Sequence, residues 1–151
     1  MKLHGYFRSS AAYRCRIAFN LKGLKPEAAF VHLRKGEQQG EPFLALNPQG
    51  LVPALETDGR VLTQSLAIIE WLEETHSEPA LLPQPAIDRA YVRSLAYLLA
   101  ADTHPLTNLR VLTHLKSELN QDQAGVDRWC RHWIEGGLKA FDAMLARRGS
   151  V

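Results

Sequence analysis

Cysteine is scarce in this chain: Cys15 and Cys130 are the only two among 151 residues, and neither belongs to a CxxC or to a spacing that ligates zinc. A disulfide scaffold, a metal site and a dithiol redox centre are therefore not expected. Charge of one sign is missing as well. Eighteen basic residues stand against sixteen acidic ones, a net charge of +2, so the chain has no cationic field to gather nucleic acid or an anionic membrane surface. Long apolar runs are absent too: none approaches the roughly 18 to 20 residues that cross a bilayer. The opening MKLHGYFRS has neither the apolar stretch nor the cleavage site of a signal peptide. These absences point to a cytoplasmic protein that handles small molecules, with no nucleic acid, membrane or metal partner.

What is present supports a packed core, since 46% of the chain is hydrophobic; length alone is compatible with one domain or two small ones. Leu3 to Phe7 reads as a strand. Ser10 to Lys22 reads as a helix, with Tyr13, Ile17 and Leu21 at helical spacing, Ala18 beside them and Gly23 as its stop. AAFVHL forms a second strand, and a strand-helix-strand unit implies that the two run parallel. EPFLALNP gives a short helical turn. LVPALETDGRVLTQS then gives two strands about Asp58-Gly59, a strong hairpin signal, and SLAIIEWLEETH an amphipathic helix. The order is βαβ then ββα, a small mixed sheet.

Three prolines between Pro79 and Pro85 mark a boundary, dividing the chain into domains 1-82 and 86-151. The second half reads as helix only, two long helices paired as a hairpin. Pro105 interrupts the first of them and predicts a kink. His104 and Asn108, four apart, are expected on one face, and Trp129 and Trp133 are expected to pack within the second.

Ser9 and Ser10 sit where the first strand hands over to the first helix. Unpaired backbone N–H groups and the positive end of the helix dipole point outward there and favour an anion. A serine at such a place can also simply cap the helix. Gln64-Ser65 repeats the arrangement at the third helix: Ser65 can cap, and its N–H can receive a carboxylate. Between them, Val52-Pro53 is a candidate cis bond that would turn the Val52 backbone outward to pair with an extended peptide. Arg8, beside Ser9, is either a surface residue or a two-pronged carboxylate clamp.

The stretches RSSxxxRxRIAxxLKG, ALNPxxxVPAL, QSLAIIEWLEE and LLP, in that order, resemble the zeta class of the glutathione transferases, the maleylacetoacetate and maleylpyruvate isomerases. The resemblance covers essentially the whole chain. It implies a thioredoxin-like N-terminal domain followed by a helical C-terminal domain, an α/β plus all-α architecture, with glutathione as cofactor. Under it Ser9 holds the glutathione sulfur as thiolate and Ser10 assists. Val52 pairs with the cysteinyl backbone, and Gln64 and Ser65 take the γ-glutamyl carboxylate. Arg14 points along the first helix toward glutathione or a dimer partner. Gln39, His104 and Asn108 complete the cofactor set.

Histidine before the proline, together with Arg110, resembles the bacterial maleylpyruvate type, so Arg8, His104 and Arg110 would hold substrate carboxylates or stabilise developing negative charge. The implied activity is a glutathione-dependent cis–trans isomerisation of a maleyl keto acid by a homodimer. A transferase that conjugates or dehalogenates small electrophilic acids is one alternative, and a non-catalytic assembly module another. Two departures stand out. Ala11 replaces the cysteine or threonine usual in the family, and Cys15, a turn further on, is expected to pack as a small apolar group. The family's helical domain continues into further helices, so the one here is expected to be incomplete.

Overall fold

Four short strands build one mixed sheet in the order β2-β1-β3-β4, from β1 (Lys2–Gly5), β2 (Glu27–Phe30), β3 (Ala54–Thr57) and β4 (Arg60–Thr63). The computed structural model describes residues 1–148. Gly149, Ser150 and Val151, the end of the expected second domain, lie outside the described residues. β1 and β2 run parallel, Leu3 opposite Ala28, as a strand-helix-strand unit requires. β3 pairs antiparallel with β1 and β4. The turn between β3 and β4 has φ of 49° at Asp58 and 71° at Gly59, the two positive values of a type I′ hairpin.

β1 stops at Gly5, two residues before the expected end, because the chain turns: the Ser9 N–H donates to the Tyr6 carbonyl at 3.0 Å. Helix α1 (Ser10–Leu21) follows. It closes through a left-handed Gly23 (φ 68°), with the Gly23 N–H on Asn20 and the Leu24 N–H on Phe19, which satisfies two carbonyls at the helix end.

Ala12, Cys15, Ala18 and Phe19 face the sheet, while Tyr13 and Leu21 are each 56% exposed. At Ala12 the helix lies close on β1: a Cβ added at Gly5 would stand 3.1 Å from the Ala12 Cβ.

Helix α3 (Ser65–Thr75) packs beside α1, and Leu3, Phe19, Leu55, Ile68 and Leu72 form the core between these helices and the sheet. Helix α2 (Glu41–Leu46) serves the second core cluster, of Tyr6, Val31, Phe43, Val52 and Ala54. One contact had no signal in the sequence: Lys22, just past α1, is buried and donates to Glu73 at 2.6 Å and to the Pro79 carbonyl at 2.8 Å. Glu73 in turn accepts from the Leu81 and Leu82 amides, fastening the segment that follows α3.

The chain divides into two compact units, Met1–Leu82 and a helical one from Pro83 onward. The second is not a simple hairpin of two helices. α4 (Ala86–Tyr97) runs into a π-helical turn at Leu98–Thr103 and a 3-10 turn at His104–Thr107, then α5 (Leu109–Ser117), before α6 (Gln123–Arg148). Pro105 does more than kink the helix. With no N–H to donate, it accompanies a change from wide to tight winding, and at Asn108 (ψ 161°) the chain leaves the helix altogether. The Trp129 indole donates to the Leu106 carbonyl at 2.7 Å and meets Trp133 edge-on at 5.7 Å.

Candidate active site

Ser9 is the N-cap of α1: its backbone is extended (φ −79°, ψ 116°), and its hydroxyl oxygen accepts from the Ala12 N–H at 3.2 Å. That bond uses an oxygen lone pair and leaves the hydroxyl proton to donate elsewhere. Ser10 is the first helical residue and exposed; Arg8, also exposed, precedes the cap. A hydroxyl donor, a cation and a helix N-terminus thus stand together at the end of β1, an arrangement that favours an anion.

The start of α3 is built differently from the expectation. Gln64, with positive φ of 68°, is the capping residue, and no side-chain cap is made. Ser65 lies one position inside the helix and does not cap it. Its buried hydroxyl instead accepts from Arg14 Nη1 at 3.1 Å. Arg14 is half-buried, which draws its pKa down while leaving the guanidinium charged. The Gln64 side chain donates to Gln49 at 2.9 Å, and Gln39 donates to the neighbouring Gly50 carbonyl at 3.3 Å. Gln64 and Gln39 therefore meet the loop before β3, and the Arg14–Ser65 pair lies at the residue that follows Gln64.

That loop is braced by a residue the sequence reading passed over. Asn47, 2% exposed, donates to the Leu51 carbonyl at 2.7 Å and accepts from the Gln49 N–H at 3.1 Å. An Asn-Pro followed by Gln-Gly is the usual signal for such an Asx turn. The Val52-Pro53 bond that follows is cis.

Cys15 is wholly buried and donates from Sγ to the Ser65 carbonyl at 3.6 Å. Burial pushes its thiol up to about 12 against the opposing pull of Arg14, so it stays protonated and packs as a small apolar group. It is no substitute for the side chain missing at Ala11.

In the second unit, His104 opens the 3-10 turn and Arg110 is the exposed second residue of α5. Asn108 caps α5, its Oδ1 accepting from the Val111 N–H at 3.2 Å. The expected shared helical face of His104 and Asn108 does not exist, because no continuous helix joins them. Among the described residues no helix is long and apolar enough to cross a membrane, and no group of three or more His, Cys, Asp or Glu could hold a metal ion.

Residues 8–75 match the family of the glutathione S-transferase N-terminal domain. The chain is 49% identical to the maleylpyruvate isomerase of a Ralstonia species, over 97% of this chain and 69% of that protein. A holo structure of maleylpyruvate isomerase, described as a bacterial glutathione S-transferase of zeta class, matches with a TM-score of 0.94 at 49% identity, covering 97% of this chain and 69% of that one. The maleylacetoacetate isomerase of Methylobacterium extorquens AM1, solved with malonate and GSH bound, matches with a TM-score of 0.93 at 46% identity over the same shares of 97% and 69%. With such identity along nearly its whole length, the chain belongs to the zeta-class glutathione transferases, the family of the maleylpyruvate and maleylacetoacetate isomerases.

Proposed function

We propose that this chain is a glutathione-dependent cis–trans isomerase of a maleyl-type keto acid, maleylpyruvate or maleylacetoacetate, acting in the cytoplasm as a homodimer in aromatic-compound or tyrosine catabolism. The observation that carries the reading is Ser9, a helix-capping serine whose hydroxyl proton remains available at the positive end of α1.

The residues fit glutathione. When bound, glutathione supplies a thiolate that adds to the activated double bond, allows rotation about the resulting single bond and leaves again unconsumed. Ser9 would hold the sulfur by donating a hydrogen bond from its hydroxyl, and with the helix dipole would lower the pH at which the thiol ionises. Ser10 stands next to it as a second donor. The α3 N-terminus, Ser65, Gln64 and the cation Arg14 form the carboxylate end, joined by the Arg14–Ser65 hydrogen bond. Val52 offers its backbone to the peptide, and Gln39 lies on the same loop.

Arg8 supplies charge for a substrate carboxylate or for the oxygen that becomes negative during addition. In the helical unit, His104, Asn108 and Arg110 take the roles the family resemblance implies: His104 and Arg110 for the substrate, His104 and Asn108 for the cofactor. Arg110 is exposed at the start of α5, where a guanidinium is free to meet a carboxylate.

The test follows maleylpyruvate isomerisation by its ultraviolet absorbance, with and without glutathione, while free thiol is counted. Turnover that needs glutathione, leaves thiol constant and disappears in Ser9→Ala supports the isomerase. Loss of one thiol per turnover would make the protein a conjugating transferase, and glutathione binding without turnover a non-catalytic module.

A further inference from the structure

Two adjacent glycines, Gly136 and Gly137, interrupt the middle of α6. Glycine in a helix interior is costly beside alanine, so each asks for a reason. Gly136 shows none among the described residues: a Cβ added there would meet nothing within 4 Å. Gly137 is the opposite case. A Cβ added there would stand 2.8 Å from Thr103 Cγ2 and 3.0 Å from Thr103 Cβ, and nearer still to the Thr103 hydroxyl. Threonine is branched at Cβ and stiff at χ1, so it cannot fold aside as the end of a long side chain would. The room left by Gly137 is where Thr103 sits.

Thr103 closes the π-helical turn Leu98–Thr103, and its hydroxyl donates to the Leu98 carbonyl at 3.0 Å across that turn. His104 comes next, and its backbone N–H makes the following wide bond, to the Leu99 carbonyl. The same residue opens the tight 3-10 turn, which the Trp129 indole holds by the Leu106 carbonyl at 2.7 Å. The histidine therefore stands between two seats on one helix, Thr103 against Gly137 and Leu106 against Trp129. A wide turn carries an extra residue, and one residue rotates a helix by about 100°, so tightening the turn would swing the side chains that follow it.

We propose that Gly137 is a positioning residue for His104: the room it leaves for Thr103 keeps the turn wide, and the wide turn sets the direction of the imidazole. The catalytic consequence rests on the proposed role of His104 toward the substrate.

The test uses the whole chain and two readouts, kcat/KM for maleylpyruvate at saturating glutathione and the imidazole proton resonance of His104, identified by its loss in His104→Gln. Gly137→Ala should lower kcat/KM at least tenfold, because a misplaced group reacts poorly. It should move the His104 resonance and leave those of His4, His32, His76 and His114 in place, which a general loosening of the fold would not do. Gly136→Ala, one residue away on the same helix, should change kcat/KM by less than about twofold and leave the His104 resonance where it is. Should Gly137→Ala fail to fold, Thr103→Ala, which vacates the same seat and adds no bulk, takes its place with the same expectations. The proposal is overturned by a His104 resonance that does not move, by full activity in an active parent's Gly137→Ala variant, or by an equal loss in Gly136→Ala. A parent without turnover would end the proposed function, and the imidazole resonance would then decide by itself whether Gly137 places His104.

Discussion

Arg14 donates from Nη1 to the Ser65 hydroxyl at 3.1 Å, tying the second turn of α1 to the first residue of α3. The contact places a half-buried cation beside a helix N-terminus, and both features favour a carboxylate. Arg14→Gln keeps a hydrogen-bond donor and removes the charge. The KM for glutathione should rise about tenfold, the loss of one charge-assisted hydrogen bond, with kcat within about twofold. Steady-state rates at varied glutathione check it. A fall in kcat at unchanged KM would instead assign Arg14 to the substrate.

Ser9 has two separable duties, because capping uses its oxygen as acceptor and holding a thiolate uses its proton as donor. Asparagine is as good an N-cap as serine but has no hydroxyl. Ser9→Ala should therefore cost about 1 kcal/mol of stability and the activity together, whereas Ser9→Asn should keep the stability and still lose most of the activity. Urea denaturation and the isomerase assay on both variants measure the two effects. An Asn variant as active as the wild type would leave Ser9 as a cap only.

Legibility in the sequence followed the range of the interaction. The hairpin at Asp58-Gly59 and the Gly23 stop are written in residues that tolerate positive φ, and the Ser9 cap in a short polar side chain; each needs only its neighbours. The spacing of Tyr13, Ile17 and Leu21 marks α1 as a helix but does not tell that the face with Ala12, Cys15, Ala18 and Phe19 is the buried one. Ser65 was expected to cap α3, but it sits one residue inside the helix, and its partner Arg14 is 51 residues away. Lys22 and Glu73, also 51 residues apart, gave no local signal. The long helix through Pro105 was half right: the proline marked the break, but periodicity alone does not show that Asn108 starts a new helix.

The Lys22–Glu73 pair sets a pH dependence. Burial alone would push the Glu73 carboxyl up, but the hydrogen bond from Lys22, the Leu81 and Leu82 amides and the Lys22 charge outweigh it and hold the carboxyl below the usual carboxylate range. A carboxyl depressed in the folded state binds its proton more readily when unfolded. Its contribution to stability is thus fully present above the unfolded pKa and is lost as pH falls through the folded one. Lys22→Met leaves a buried carboxylate without its cation and should cost roughly 3 kcal/mol or more at neutral pH. In that variant burial dominates, so Glu73 should titrate high and the deficit should shrink as pH falls. Urea denaturation of both proteins from pH 7 to pH 4 reads the difference. A deficit constant over that range would mean that Glu73 does not titrate with the pair.

Asn108 carries two competing assignments, a contact to the cofactor by resemblance and the cap of α5 by geometry. They are distinguishable because aspartate caps a helix as well as asparagine, while it cannot donate the amide hydrogen bond that a ligand acceptor would need. Asn108→Ala should lower the stability of the helical unit by about 1 kcal/mol, and Asn108→Asp should restore it. If Asn108 also serves the ligand, the aspartate variant should be as stable as the parent yet bind glutathione several-fold more weakly, since a lost hydrogen bond is worth about 1 kcal/mol. Thermal unfolding and equilibrium binding on the same preparations give both quantities. Full binding in Asn108→Asp would leave α5's cap as the whole role of this side chain.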